Sequence, residues 1–317
     1  MKKQKNGWTG TDIKFMRLAL ELAEKGKGKT SPNPMVGAVV VKNGKVVGSG
    51  YHKKAGTPHA EVLALKNAGE NANGATLYVT LEPCNTYGRT PPCAPAIVEA
   101  GIRRVIIAAD DMNPANRNNG VRYLRKHGIK AEQGLLRFEA DELNRAYNKF
   151  ISTGMPFVTI KAAISLDGKI ATKTGNSKWI SSSQSRNLVK KMRREVDAVL
   201  VGRNTYLKDK PRFKGVKNKI YLGKQRANLK ILMRDLAKKN IMHVLIEGGG
   251  ETIASALEAG IADRICVFIA PIIIGGRNAP TLVEGEGIKY ISNALDIKNV
   301  NLKSVGRDYM VTGCLRE

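Results

Sequence analysis

The sequence predicts an α/β protein of two domains. Along the first half, helical and strand patterns follow one another as helix, β-hairpin, helix, strand, helix, strand, helix, strand. That order describes a sheet with helices on both faces. A polar stretch at 139–156 then ends in Gly154 and Pro156, which marks a boundary. Beyond it a new strand begins, and 317 residues suit two domains of ordinary size. The domains are expected at residues 1–152 and 153–317.

"TDIKFMRLALELAEKG" sets Ile13, Met16, Leu20 and Ala23 on one helical face, with Thr11 or Asp12 as a cap and Gly26 as the stop. Asn43-Gly44 between two β-rich runs predicts a hairpin with a type I′ turn. "HAEVLALKNA" reads as a helix and "ATLYVTLEP" as a strand. "PPCAPAIVEAG" is a helix opened by Pro and closed by Gly101. "RRVIIAAD" is a buried strand, "GVRYLRKHG" a helix, "IKAEQG" a short strand and "EADELNRAYNKFIS" one polar helix. In the second half, "FVTIKAAISLDGKIAT" is a strand and turn, "SSQSRNLVKKMRREV" a helix and "DAVLVG" a buried strand. "LMRDLAKKNI" is a helix, "HVLIEGGGETIASALEAG" a strand, glycine-rich turn and helix, and "DRICVFIAPIIIG" a strand. "NVNLKSVGRDYMVTGCLRE" closes the domain as a β-pair.

Composition removes several function classes. The apolar run at 265–275 is too short to span a bilayer, so no membrane partner is expected. The start "MKKQKNGWTGTD" lacks the apolar core of a secretory signal. Four unevenly spaced Cys make no disulfide framework and fit a reducing, cytoplasmic setting. The net charge of +26 contains no block of five like charges, and few aromatics interleave with the Lys. It reads as charge spread over solvated faces, or as a preference for a phosphate-bearing small ligand, rather than as a nucleic-acid footprint. Cys266 and Cys314 lie in apolar strand patterns and read as core, and His127 and His243 read as structural.

His59, Cys84 and Cys93 offer three zinc donors, and catalytic zinc takes three protein ligands and leaves one position open. Glu61 stands two residues from His59, placed to move protons without ligating the metal. H-x-E followed by P-C…C is the zinc deaminase signature, with the Glu as general acid/base. Cys93 follows Pro91-Pro92 at a helix start, where the dipole favours thiolate. A closed structural zinc site would have no use for Glu61. The spacing departs from P-C-x-x-C: eight residues, "NTYGRTPP", separate Cys84 from Cys93, and that loop carries Arg89, in reach of a substrate.

"SPNPMVGAVVV", "GYHKKAGTPHAE", "TLEPCNTYGRTPPC" and "ISLDGKIAT" resemble the bifunctional riboflavin-biosynthesis deaminase/reductase family, over nearly the whole chain. The resemblance implies a cytidine-deaminase-like three-layer α/β/α domain followed by a dihydrofolate-reductase-like α/β domain. It implies zinc-dependent deamination of 2,5-diamino-6-ribosylamino-4(3H)-pyrimidinone 5′-phosphate, then NADPH-dependent reduction of the ribosyl group to ribityl. It assigns His59, Cys84 and Cys93 to Zn2+, Glu61 to proton transfer, and Asn33 and His52 to the substrate. It also implies a homo-oligomer held by the reductase half. "DMNPANRNNG" departs from the family pattern, with Met112 in place of the first Pro.

In the second domain the strand "VLIE" runs into Gly248, Gly249 and Gly250 and then a helix, a turn whose amides suit phosphate but which is no Rossmann fingerprint. The resemblance places Ala163, Trp179, Thr205, Asp209, Gly249, Gly250, Glu251 and Thr252 on NADPH. It places Ser177, Arg193, Phe213 and Glu247 on the substrate, with Arg193 paired bidentately to its phosphate. Against the family, "KDKPRFKGVKNKIYLGKQRANLKILMRDL" runs almost straight into the next helix, with Val216 where an Arg is expected. Some tens of residues are missing, and loss of a strand is expected to expose an edge. The alternatives are a deaminase with a defective reductase half, or a tRNA or nucleoside deaminase.

Overall fold

The computed structural model describes residues 7–88, 90–202, 205–207, 213–223 and 228–315. The chain forms two compact units, Met1–Thr153 and Gly154–Glu317.

The first unit is built on β1 (Gly37–Lys42), β2 (Lys45–Tyr51), β3 (Thr76–Leu81), β4 (Arg104–Ala109) and β5 (Lys130–Gln133), in the order β2-β1-β3-β4-β5. The β1–β2 and β1–β3 pairs are antiparallel, and β3–β4 and β4–β5 are parallel. Asn43 and Gly44 both have positive φ, as the predicted hairpin turn requires. Helices α1 (Gly10–Glu24) and α5 (Arg137–Leu143) pack on one face of the sheet. On the other lie α2 (Ala60–Ala68), α3 (Cys93–Glu99) and α4 (Asn119–Lys126). The central strands β3 and β4 are buried along almost their whole length, as expected of strands covered on both sides.

Two details of the first unit differ from the sequence reading. The cap of α1 is Thr9, not Thr11 or Asp12; Asp12 is the acidic partner of the capping box. Its carboxylate also accepts from the Tyr78 hydroxyl at 2.8 Å and the Arg104 guanidinium at 3.0 Å. Burial pushes that carboxyl up, but these donors and Thr9 hold it below its usual range. Secondly, the single polar helix expected within 139–156 is two helices, α5 and α6 (Arg145–Thr153). They part at Asn144, whose buried amide accepts from Met35 N and donates to Met35 O.

The second unit holds β6 (Phe157–Ser165), β7 (Ala198–Val201), β8 (Asn218–Tyr221), β9 (His243–Glu247), β10 (Arg264–Ala270), β11 (Lys298–Val305) and β12 (Asp308–Cys314). Their order is β11-β12-β10-β6-β9-β7-β8. The five strands from β10 to β8 are mutually parallel, and the β12–β11 pair is antiparallel. Helices α7 (Ser183–Glu195), α8 (Leu229–Lys238) and α9 (Gly250–Glu258) connect them. The stretch after Phe213 does not run straight into a helix. It forms β8, a parallel edge strand on β7. Cys266 and Cys314 are buried, as expected.

Candidate active sites

Helix α2 lies close on β2 because two strand residues lack side chains. A Cβ on Gly48 would meet the Ala64 carbonyl at 2.2 Å, and one on Gly50 the Ala60 carbonyl at 2.6 Å. This seats the first turn of α2 against the sheet. His59 is its N-cap residue by position but makes no side-chain cap. Its ring points instead at the start of α3, with Nδ1 3.0 Å from Cys93 Sγ and 3.5 Å from Cys84 Sγ. The donor atoms of His59, Cys84 and Cys93 all lie within 4.8 Å of one another. Two thiols and an imidazole at that separation fit zinc.

Each thiol is set by its neighbours. Cys84 O accepts from Cys93 N and Ala94 N, both at 3.0 Å, which clamps the first ligand to the helix that carries the second. Cys84 is drawn down to about 4 by its hydrogen bond with Cys93 and by His59. Cys93, sharing the same proton and buried, is pushed up. Glu61 is buried beside them, and burial lifts its carboxyl to about 7 against the pull of His59.

Asn33 and His52 are brought together behind this centre. His52 is 2% exposed, and its ring meets that of His59 edge-on at 5.4 Å. Its Nδ1 faces the Pro58 carbonyl at 3.4 Å, so Nε2 is the acceptor for the Asn33 amide at 3.1 Å. Burial lowers the His52 pKa and keeps the ring neutral in that role. Both ring nitrogens of His52 are engaged, so the ring orients the Asn33 amide. Arg89 lies outside the described residues.

Three features of this unit were not singled out from sequence. Thr90 places its hydroxyl 3.1 Å from His59 Nε2. Glu82, buried next to the Pro83-Cys84 pair, accepts from Asn118 N and Val121 N and so fixes the start of α4. Asp111, also buried, accepts from Asn113 N, Asn116 Nδ2 and the Tyr147 hydroxyl, and Asn116 in turn takes the Thr86 hydroxyl. The loops 84–93 and 111–118 are therefore tied side by side. Only Glu82 carried a signal, by adjoining P-C; the others depend on contacts across the fold.

In the second unit Ala163 lies late in β6, Glu247 ends β9 and Gly249 and Gly250 follow it, at the carboxyl ends of parallel strands, where open α/β sheets bind ligands. Gly249 is the N-cap position of α9, and a Cβ there would meet only Ile170, at 3.9 Å. Gly250 is packed, with Glu284 Cγ at 2.2 Å from a Cβ built on it. Thr252 fills the space that Gly202 and Gly248 leave, while Glu251 is exposed. Thr205 stands half-buried in a helical turn beyond β7, Ala163 is half-buried on β6, and Ser177 is half-buried in the loop before α7. Trp179 is 66% exposed, with the Arg186 guanidinium 4.6 Å over its ring. Asp209 lies outside the described residues.

Arg193 and Glu247 meet each other. Arg193 Nε reaches Glu247 Oε1 at 2.7 Å and its Nη2 reaches Oε2 at 2.6 Å. The bidentate partner expected to be a phosphate is thus a buried carboxylate. The same guanidinium lies 5.1 Å over the ring of Phe213, which is buried. Burial raises the Glu247 carboxyl, but Lys161 and Arg193 outweigh it and hold the group below its ordinary value.

Residues 9–109 match the family model of the cytidine and deoxycytidylate deaminase zinc-binding region. Residues 156–219 and 212–311 match that of the RibD C-terminal domain. The riboflavin biosynthesis protein RibD of Aquifex aeolicus (strain VF5) is 43% identical, over 95% of this chain and 97% of its own. The chain belongs to the RibD family. Among other members, RibD of Escherichia coli (strain K12) is 34% identical, over 94% of this chain and 97% of its own. The solved structure of Acinetobacter baumannii RibD (form 1) superposes with a TM-score of 0.86 at 35% identity, over 96% of this chain and 98% of that one. A Thermotoga maritima structure, a diaminohydroxyphosphoribosylaminopyrimidine deaminase/5-amino-6-(5-phosphoribosylamino)uracil reductase, gives 0.86 at 33% identity, covering 95% of this chain and 98% of that one. This RibD chain joins a zinc-binding deaminase domain to a RibD-type reductase domain.

It is a short RibD. The alignment with the Aquifex aeolicus protein spans 353 residues, more than the 317 of this chain, so that relative carries segments without a counterpart here. The C-terminal model is matched in two pieces that meet at 212–219, beside β8. No described helix is long and apolar enough to cross a membrane.

Proposed function

We propose that residues 1–152 deaminate the pyrimidine and that residues 153–317 reduce the ribosyl chain of 2,5-diamino-6-ribosylamino-4(3H)-pyrimidinone 5′-phosphate. The observation that carries this is the juxtaposition of His59, Cys84 and Cys93 with a buried Glu61. His59, Cys84 and Cys93 would hold zinc, which when bound would make a water acidic enough to lose a proton near neutral pH. Glu61 would pass one water proton to the ring nitrogen as the C–O bond forms at the amino-bearing carbon, then carry the remaining hydroxyl proton to the amino group as the C–N bond breaks, so ammonia leaves neutral. Asn33, oriented by His52, binds the substrate.

Gly249 and the backbone amides at the start of α9 would hold the phosphates of NADPH. Thr205, Thr252, Ala163 and Trp179 border the same end of the sheet. The cofactor supplies a hydride, and the protein positions it against the ribosyl carbon. Ser177, Phe213 and the Arg193–Glu247 pair form the substrate side. The Thr205, Gly249 and Thr252 positions support a working reductase despite the shortening. A homo-oligomer contact falls on β11, whose Val300 and Leu302 are exposed, as are Ile291 and Leu295 before it. The setting is cytoplasmic, where the four free Cys stay reduced.

Replacing Glu61 by Gln tests the deaminase half. The variant is expected to bind one zinc by metal analysis and to release ammonia about 100-fold to 10,000-fold more slowly. Ammonia release at the wild-type rate would remove Glu61 from the mechanism.

A further inference from the structure

Eight residues separate the two Cys ligands, and all of them but Arg89 are among the described residues. The loop is pinned at its start by the Thr86 hydroxyl on Asn116. Its middle turns outward, with Tyr87 exposed. Before re-entering the fold at the Pro92 cap of α3, it brings Thr90 over the far edge of the His59 ring. Nδ1 of that ring faces the two sulfurs, and Nε2 faces Thr90 Oγ1 at 3.1 Å.

We propose that Thr90 is a positioning residue for the metal, its hydroxyl accepting a hydrogen bond from His59 Nε2–H and thereby fixing the tautomer and ring orientation in which Nδ1 ligates. A neutral imidazole has one N–H and one lone pair, so the nitrogen that binds metal is set by what the other nitrogen meets. A hydroxyl both accepts and donates, so Thr90 accepts here and keeps its own proton for a neighbour. Carboxylates, backbone carbonyls and water usually fill this position, and loss of such an outer partner typically costs about 10- to 100-fold in metal affinity or activity. A spacer of two residues between the Cys would leave this segment no residue to place there. The long loop therefore has a task at the metal in addition to any contact it makes with substrate.

This rests on the zinc reading above, and the test separates the two. Zinc affinity is measured on the full chain by competition with a chromophoric chelator, for wild type, Thr90→Val and Thr90→Ser. Wild type is expected to take up one zinc. Thr90→Val, which keeps the shape and removes the hydroxyl, is expected to bind about 10- to 100-fold more weakly. Thr90→Ser, which restores the hydroxyl, is expected to return close to wild type. In zinc-loaded wild type labelled with 15N-histidine, four His give a simple spectrum. His59 is expected to show a slowly exchanging Nε2–H that Thr90→Val loses. Absence of zinc uptake by wild type overturns the zinc reading and this inference together. Normal uptake with an unweakened Thr90→Val overturns only the inference. So does a Thr90→Ser as weak as Thr90→Val, or a His59 proton found on Nδ1.

Discussion

Gly120 lies against the carbonyl oxygen of Pro83: a Cβ on residue 120 would sit 1.8 Å from it. Pro83 leads into the ligand Cys84, and Gly120 is in the first turn of α4. Glu82 grips the same turn through Asn118 N and Val121 N. The start of α4 is thus a wall behind the metal ligands, docked without space for a side chain. Gly120→Ala is expected to cost about 1–3 kcal/mol by overpacking against backbone. It is expected to weaken zinc binding as the Pro83-Cys84 segment shifts. Thermal unfolding and chelator competition check both, and an unchanged midpoint with unchanged affinity would contradict the docking.

The two neighbouring glycines of the second site should behave oppositely. Gly249→Ala has open space ahead of it, whereas Gly250→Ala drives a methyl into Glu284 Cγ and the Thr281 carbonyl, 2.7 Å away. Gly249→Ala is expected to leave the unfolding midpoint near wild type and raise the KM for NADPH. Gly250→Ala is expected to destabilise by about 1–3 kcal/mol. Equal effects from the two would mean that the turn is only a tight connection.

The Arg193–Glu247 pair makes a pH prediction. The Glu247 carboxyl sits below its ordinary value of 4.5. A depressed carboxylate stabilises the fold fully above its unfolded pKa, and that contribution is lost as pH falls through the folded value. Arg193→Met leaves a buried carboxylate with Lys161 as its remaining cation. The expected cost is about 3 kcal/mol near pH 7, since breaking a buried pair strands a charge. It should shrink as the pH drops toward 4.5, because protonation then neutralises Glu247. Denaturant titrations of wild type and variant across that range measure the gap, and a gap that widens on acidification would reverse the sign.

Much of the fold was legible because local signals agreed. Asn43-Gly44 fixed a hairpin, Pro92 and Gly101 bracketed α3, and His59, Glu61, Cys84 and Cys93 announced their chemistry by type and spacing. What stayed hidden depends on partners far along the chain. The break between α5 and α6 comes from Asn144 meeting Met35, 109 residues away. Strand β8 is four residues long and mostly exposed, so it had no apolar alternation to show. Arg193 was legible as a bidentate donor, but its partner lies 54 residues on. The Thr90–His59 contact crosses 31 residues and uses a side chain common in loops.

One short chain is expected to run both reactions. The most direct test of this is product analysis by mass spectrometry, with the zinc-loaded protein given the diaminopyrimidine ribosyl phosphate and NADPH together. The deaminated ribityl product is expected to accumulate with consumption of NADPH. Arrest at the deaminated ribosyl compound, with NADPH unspent, would contradict it and leave a deaminase carrying a second domain that no longer reduces.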